Sequence, residues 1–172
     1  MKMLKKHWHM TGANLVITVI GGAKNFNLDG KKKEVFNRGL VTAARTTKAW
    51  IITSGCNMGV MKAVGDAVQE GQSYSWDKEG MRHTLRCIGI APWGYIERRQ
   101  ALVSMDGHGC WNASYKANHI IRHFHPVSLN PSHTHFLLVD DGYRGRYGGV
   151  ADFRAKLERK ISLPTSAPPG TG

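Results

Sequence analysis

Three stretches of small and polar residues have the types and order needed to hold a phosphorylated ligand. The first is Gly21-Gly22-Ala23-Lys24-Asn25-Phe26. Glycines after a strand let the backbone approach a ligand closely and turn N–H groups toward a phosphate. The spacing is not G-x-G-x-x-G, so a tight turn is an equally simple reading. The second is Thr53-Ser54-Gly55-Cys56-Asn57-Met58-Gly59-Val60-Met61-Lys62, running from a strand into a helix. Gly55 and Gly59 bracket a helix amino terminus, where unpaired N–H groups and the helix dipole attract anions. The plainer alternative is an ordinary helix start with Asn57 as its cap. The third is Asp140-Asp141-Gly142-Tyr143-Arg144-Gly145-Arg146-Tyr147-Gly148-Gly149, leading into a helix that carries Arg154. Tyr147 and Arg154 stand two helical turns apart if the helix has begun at Tyr147. In one pocket Tyr147 would stack on a base or sugar and Arg154 would pair with a phosphate. A core tyrosine and a surface arginine are the alternative.

His119, His123 and His125, followed by His133 and His135, have spacing that a zinc ion could use. The three cysteines, Cys56, Cys87 and Cys110, are odd in number and far apart. They form neither a disulfide framework nor a C-x-x-C pair, which favours a reducing compartment.

The elements that must position these residues follow from periodicity. Leu15 to Ile20 and Ala49 to Thr53 are short β-branched runs that stop at small residues, the pattern of buried parallel strands. Leu85 to Ala91 and Thr134 to Val139 give a third and a fourth strand. Phe36, Leu40, Ala43, Ala44 and Thr47 recur at helical spacing, as do Met61, Val64 and Val68, and then Val150, Phe153, Leu157 and Ile161. Residues 94–132 show no sustained period, an unusual length for a loop in a compact domain. Strands alternating with helices predict an α/β fold with parallel βαβ units, whose ligands bind at the carboxyl ends of the strands.

The organisation expected is a basic tail over residues 1–13, one nucleotide-binding domain over 14–163 and a Pro/Ser/Gly-rich disordered tail over 164–172. A chain of 172 residues is of single-domain length. Its 41% hydrophobic and 21% charged residues are a globular composition. No apolar run approaches the about 18 residues of a membrane span, so this segment is expected to make no membrane contact. The net charge of +12 suits an anionic partner. The basic residues are scattered and not interleaved with aromatics, which argues against nucleic acid.

The blocks around these motifs resemble the first melastatin homology region of melastatin-type transient receptor potential (TRPM) cation channels. They are Leu15 to Phe26, Arg38-Gly39-Leu40-Val41-Thr42-Ala43-Ala44, Thr47 to Thr53, Gly59-Val60-Met61 with Val64 to Val68, Ile88 to Gly94, and Ser132 to Gly142 with Tyr147-Gly148 and Arg154 behind. The 21–27 stretch most resembles the ADP-ribose-gated member. The resemblance implies a SLOG-type Rossmann-like α/β fold, a parallel sheet flanked by helices, here incomplete at its carboxyl end. It implies a non-catalytic cytosolic segment of a tetrameric, calcium-permeable plasma-membrane channel that senses ADP-ribose or a related nucleotide as ligand, needs no cofactor or metal, and contacts the rest of its subunit and neighbouring subunits. Carried over by motif, Asn25, Tyr147 and Arg154 contact the ligand, and Gly21, Gly22, Ser54 and Gly55 line the pocket. If the strand ends form one pocket, backbone N–H groups near Gly22 and Gly59 are expected to hold its phosphates. His133 and His135 orient the fourth strand. Three positions depart from the family pattern: Ile20 in place of a threonine, Ser54-Gly55 in place of a glycine pair, and Gly149-Val150-Ala151 where an acidic residue is expected. The alternative reading is a stand-alone nucleotide phosphoribohydrolase-like enzyme, against which the missing acid counts.

Overall fold

A computed structural model describes residues 2–10, 12–73, 85–105, 111–118 and 126–162. Four strands, β1 (Val16–Thr18), β2 (Trp50–Thr53), β3 (Arg86–Pro92) and β4 (His135–Val139), form one sheet in the order β1-β2-β3-β4. All three pairings are parallel, with Ile17 opposite Ile51, Thr53 opposite Gly89 and Pro92 opposite Val139. Every carboxyl end therefore lies along one edge of the sheet. The expected α/β fold, a parallel sheet flanked by helices, is the one observed.

The helices are α1 (Lys2–Trp8), α2 (Gly30–Thr46), α3 (Gly59–Ser73) and α4 (Ala151–Ser162). Strand alternation sorts the core into two faces. Ile51 and Cys87 point to the side covered by α2 and α3, where they meet Ala44, Val64, Val68 and Leu85. Trp50, Ile52, Ile88 and Ile90 point to the other side, against Val150 just before α4 and Ile161 in its last turn. The two central strands are almost wholly buried, whereas β1 and β4 are only half-buried. Each fully buried large side chain such as Ile52 or Ile90 contributes roughly 1.5–3 kcal/mol.

Residues 1–13, expected as a basic tail, instead contain α1. Leu4 is 1% and Met10 3% exposed, and both belong to the α4-side core. The Met10 N–H closes onto the Leu4 carbonyl at 3.1 Å, and the Trp8 ring lies 4.6 Å from that of His135. Apolar residues interleaved among the lysines thus cover one face of the sheet. The tail expected over 164–172 lies outside the described residues.

The 94–132 region, which lacks a sequence period, is anchored at both ends among its described residues. Short 3-10 turns occupy Trp93–Tyr95 and Arg99–Leu102. Its far end returns along the turn after β2. The Asn57 N–H donates to the Ser128 carbonyl and the Asn130 N–H to the Gly55 carbonyl, each at 2.8 Å. Val127 and Leu129 thereby join Cys56, Met58, Met61, Tyr95 and Ile96 in a third apolar cluster.

Candidate functional site

The carboxyl ends of β1, β2 and β3 open into a cleft of about 180 Å³, and four of the predicted site residues meet there: Gly21, Ser54, Tyr147 and Arg154. Helix α4 begins only at Ala151, so Tyr147 precedes it in the glycine-rich loop. The two side chains converge because the loop folds back over the sheet, not because they are two turns apart on one helix. The rest of the wall is mostly apolar, with Val19, Ile20, Met61, Ile90 and Pro92. These liners do not stand out in the sequence, because a cleft wall and a core use the same residue types.

The Tyr147 hydroxyl donates to Ser54 Oγ at 3.2 Å, and its ring packs at 5.4 Å against that of Tyr95. Burial raises the Tyr147 phenol above its ordinary range, against the opposing effect of the Ser54 hydrogen bond. It is a neutral hydroxyl at physiological pH. Arg154 Nε lies 3.3 Å from Glu158 Oε1, one helical turn on, and both side chains are more than four-fifths covered. The alignment is that of an ion pair and not a hydrogen bond, which leaves Glu158 Oε1 buried without a hydrogen-bond partner. A partly covered pair of this kind orients the guanidinium more than it stabilises the fold.

The remaining predicted residues lie elsewhere. Asn25 and Gly59 border a neighbouring hollow of about 290 Å³ with Lys33, Lys62 and Asp66. Asn25 Oδ1 accepts from the Gly59 N–H at 2.8 Å, and the Gly22 carbonyl accepts from the Val60 N–H at 3.4 Å. The amino terminus of α3 is thus capped by the loop after β1. The Gly59 N–H, expected to meet a phosphate, is taken in this structure, so a phosphate there competes with Asn25. The cap is Asn25, not Asn57, whose carboxamide points the other way, to Asn118 and Asn130. Gly59 has a φ of +50°, and a Cβ there would sit 2.0 Å from the Gly22 carbonyl oxygen. Gly55 is outside the cleft lining. It is pressed against Gly89 of β3 with a φ of +71°.

Cys56 and Cys87 are buried, which pushes their thiols up to about 11 and about 12 and keeps them protonated. Among the described residues no group of three or more His, Cys, Asp or Glu side chains could hold a metal ion. His119, His123, His125 and Cys110 lie outside the described residues. Among the described residues no helix is long and apolar enough to cross a membrane.

The fold and cleft together define a parallel α/β domain with an open cleft at the carboxyl edge of its sheet. The family described as SLOG in TRPM matches residues 1–169, and the chain belongs to it. The chain is 43% identical over 159 residues to transient receptor potential cation channel subfamily M member-like 2 of Nematostella vectensis, covering 92% of this chain and 10% of that protein. It is 42% identical over 167 residues to subfamily M member 2 of Mus musculus, covering 95% and 10%. It is 40% identical over 161 residues to subfamily M member 6 of Homo sapiens, covering 94% and 7%. The chain therefore spans a tenth or less of the length of these relatives.

Proposed function

We propose that this domain is a non-catalytic ligand-sensing and assembly unit of a calcium-permeable TRPM cation channel, and that its cleft takes ADP-ribose or a related adenine nucleotide. The observation that carries the reading is the convergence of Tyr147 and Arg154 with Gly21 and Ser54 over one opening at the strand ends. The pairing of Arg154 with Glu158 engages Nε, so the Nη edge of the guanidinium is the side offered to a ligand oxyanion. A ring stacks on Tyr147 against the apolar wall. The cleft, at about 180 Å³, is smaller than the roughly 300–1,000 Å³ of whole-ligand pockets. It receives one end of the nucleotide, and the remainder extends over the exposed 21–27 loop. The cytosolic placement and the contacts with the rest of the subunit and with neighbouring subunits of a homotetramer belong to the same reading.

Two features favour sensing over the phosphoribohydrolase alternative. Among the described residues no carboxylate lines the cleft, where glycosidic cleavage would use a general acid or a stabilising carboxylate. Glu158, one helical turn beyond Arg154, is held by it in an ion pair. Calorimetric titration of ADP-ribose tests the proposal. A charge-assisted hydrogen bond of about 1.5–3 kcal/mol makes Arg154→Ala bind roughly tenfold to a hundredfold more weakly. Arg154→Lys recovers only part of the loss, because the bidentate fork is gone. Equal affinity in wild type and Arg154→Ala rules out this pocket.

A further inference from the structure

One polar assembly in the interior lies beside the cleft without entering it. His133, 6% exposed, is 80 residues from Thr53 in sequence, yet its Nε2 stands 2.7 Å from Thr53 Oγ1. Thr53 is fully buried at the end of β2, and the next residue, Ser54, is the one that reaches the cleft and meets Tyr147.

The direction of each hydrogen bond follows from its neighbours. The Ser132 N–H donates to Asn130 Oδ1 at 3.0 Å, and Asn130 Nδ2 donates to Asn57 Oδ1 at 3.0 Å, which fixes the orientation of the Asn130 carboxamide. His133 Nδ1 lies 3.1 Å from that same Oδ1, an atom that can only accept. Nδ1 therefore carries the imidazole proton, and Nε2 holds the lone pair. On the other side, the Gly55 N–H donates to Thr53 Oγ1 at 2.8 Å. The Thr53 hydroxyl thus accepts from Gly55 and gives its own proton to His133 Nε2. Burial suits this arrangement, because it holds His133 neutral, with its pKa down at about 4.

The assembly also has a space reserved for it. A Cβ on Gly65 of α3 would sit 2.2 Å from Asn130 Oδ1, so the helix admits the carboxamide only because a glycine stands there. Four separate parts of the chain thus meet: the end of β2, the turn after it, α3 and the segment before β4. Buried polar networks satisfied at every link fix one geometry, since each broken link leaves a desolvated group unpaired.

We propose that His133 is a positioning residue for the cleft. By accepting at Nε2 from Thr53 it sets the 53–55 turn, and through that turn it presents Ser54 to Tyr147 and to the ligand. Only the ligand part rests on the nucleotide reading above; the control of the turn stands apart from it.

Two substitutions separate positioning from packing. In His133→Gln the amide oxygen reaches about where Nε2 stood and can still accept from Thr53. In His133→Asn the shorter side chain can still donate to Asn130 but cannot reach Thr53. Hydrogen exchange at the Gly55 amide and ADP-ribose affinity are measured on the full chain for both and for wild type. The expected result is Gly55 protection and affinity within about threefold of wild type in His133→Gln, and both reduced about tenfold in His133→Asn. Unchanged Gly55 protection in a folded His133→Asn overturns the proposal, as does an equal loss in both variants. Should His133→Asn not fold, Thr53→Val removes the hydroxyl that links His133 to the turn, and with it the acceptor of the Gly55 N–H. It is expected to abolish Gly55 protection, and wild-type affinity in that variant is the overturning result. If wild type fails to bind ADP-ribose while Gly55 protection follows the Gln/Asn pattern, the nucleotide reading falls and the positioning role of His133 stands.

Discussion

Two turns leave adjacent parallel strands at the same edge of the sheet, and both begin with small residues. The turn after β2 is braced from every side. Residues 53–58 are all buried, Gly55 touches β3, and Asn57, Asn130, His133 and Thr53 form a continuous polar brace. The loop after β1 is open. Most of residues 20–29 are exposed, with Ile20 at 72%, and side-chain tethers to α3 and to α2 come from Asn25 and Asp29 respectively. The cleft therefore has one wall fixed by burial, which sets Ser54, and one open wall that solvent reaches along most of its length. The sensing function proposed above calls for both, a rigid reference and an open segment that a ligand can engage.

The largest effect expected from this contrast is at Gly55. An alanine there must adopt a φ of +71° and place its Cβ 2.7 Å from the Gly89 Cα. Gly55→Ala should cost about 3 kcal/mol or more in urea unfolding, as left-handed strain adds to overpacking. A cost under about 1 kcal/mol would mean that the braced turn yields, and the contrast would be lost.

Acid is the next probe. The folded-state pKa of His133, about 4, lies below the ordinary 6.5. The unfolded chain takes up a proton that the folded chain refuses, so protons favour unfolding. The contribution is complete above about pH 6.5 and is lost as pH falls toward 4, by roughly 3 kcal/mol across the window. Urea midpoints at pH 7, 5.5 and 4.5 follow it, and His133→Gln should remove that part of the slope. A slope unchanged in His133→Gln would place its origin elsewhere.

Effects in the open loop are smaller. Asn25→Ala removes the cap on α3 and should cost about 1 kcal/mol. Smallest of all is Gly22→Ala, whose Cβ would meet only the Lys24 nitrogen, at 4.0 Å. Thermal melts should find it within about 0.5 kcal/mol of wild type. A Gly22→Ala protein as damaged as Gly55→Ala would show that the loop after β1 is as rigid as its neighbour.

The four strands were legible in the sequence because each is a short apolar run stopped by small or polar residues, and α2, α3 and α4 because their apolar residues recur every three or four positions. The residue types of the cleft were legible for the same local reason: glycines, a serine, a tyrosine and an arginine at strand ends. Helix α1 was not, because a few apolar residues among lysines carry too little periodicity, and only the core they cover explains them. Nor was the order in the 126–134 segment, although the alternation of Val127 and Leu129 with Ser128 and Asn130 is a strand-like trace of it.

Sequence alone carries the class of fold, the family and the edge of the sheet at which the small and polar residues gather, since these depend on local pattern. Which residues share a site was decided by tertiary structure. It divided Asn25 and Gly59 from Tyr147 and Arg154, turned Gly55 into a packing contact, and placed His133 against Thr53 across 80 positions. The physical reason is that a hydrogen bond needs its partners within about 3 Å and in line, and no periodicity along the chain encodes which distant donor will meet which acceptor once the sheet has assembled.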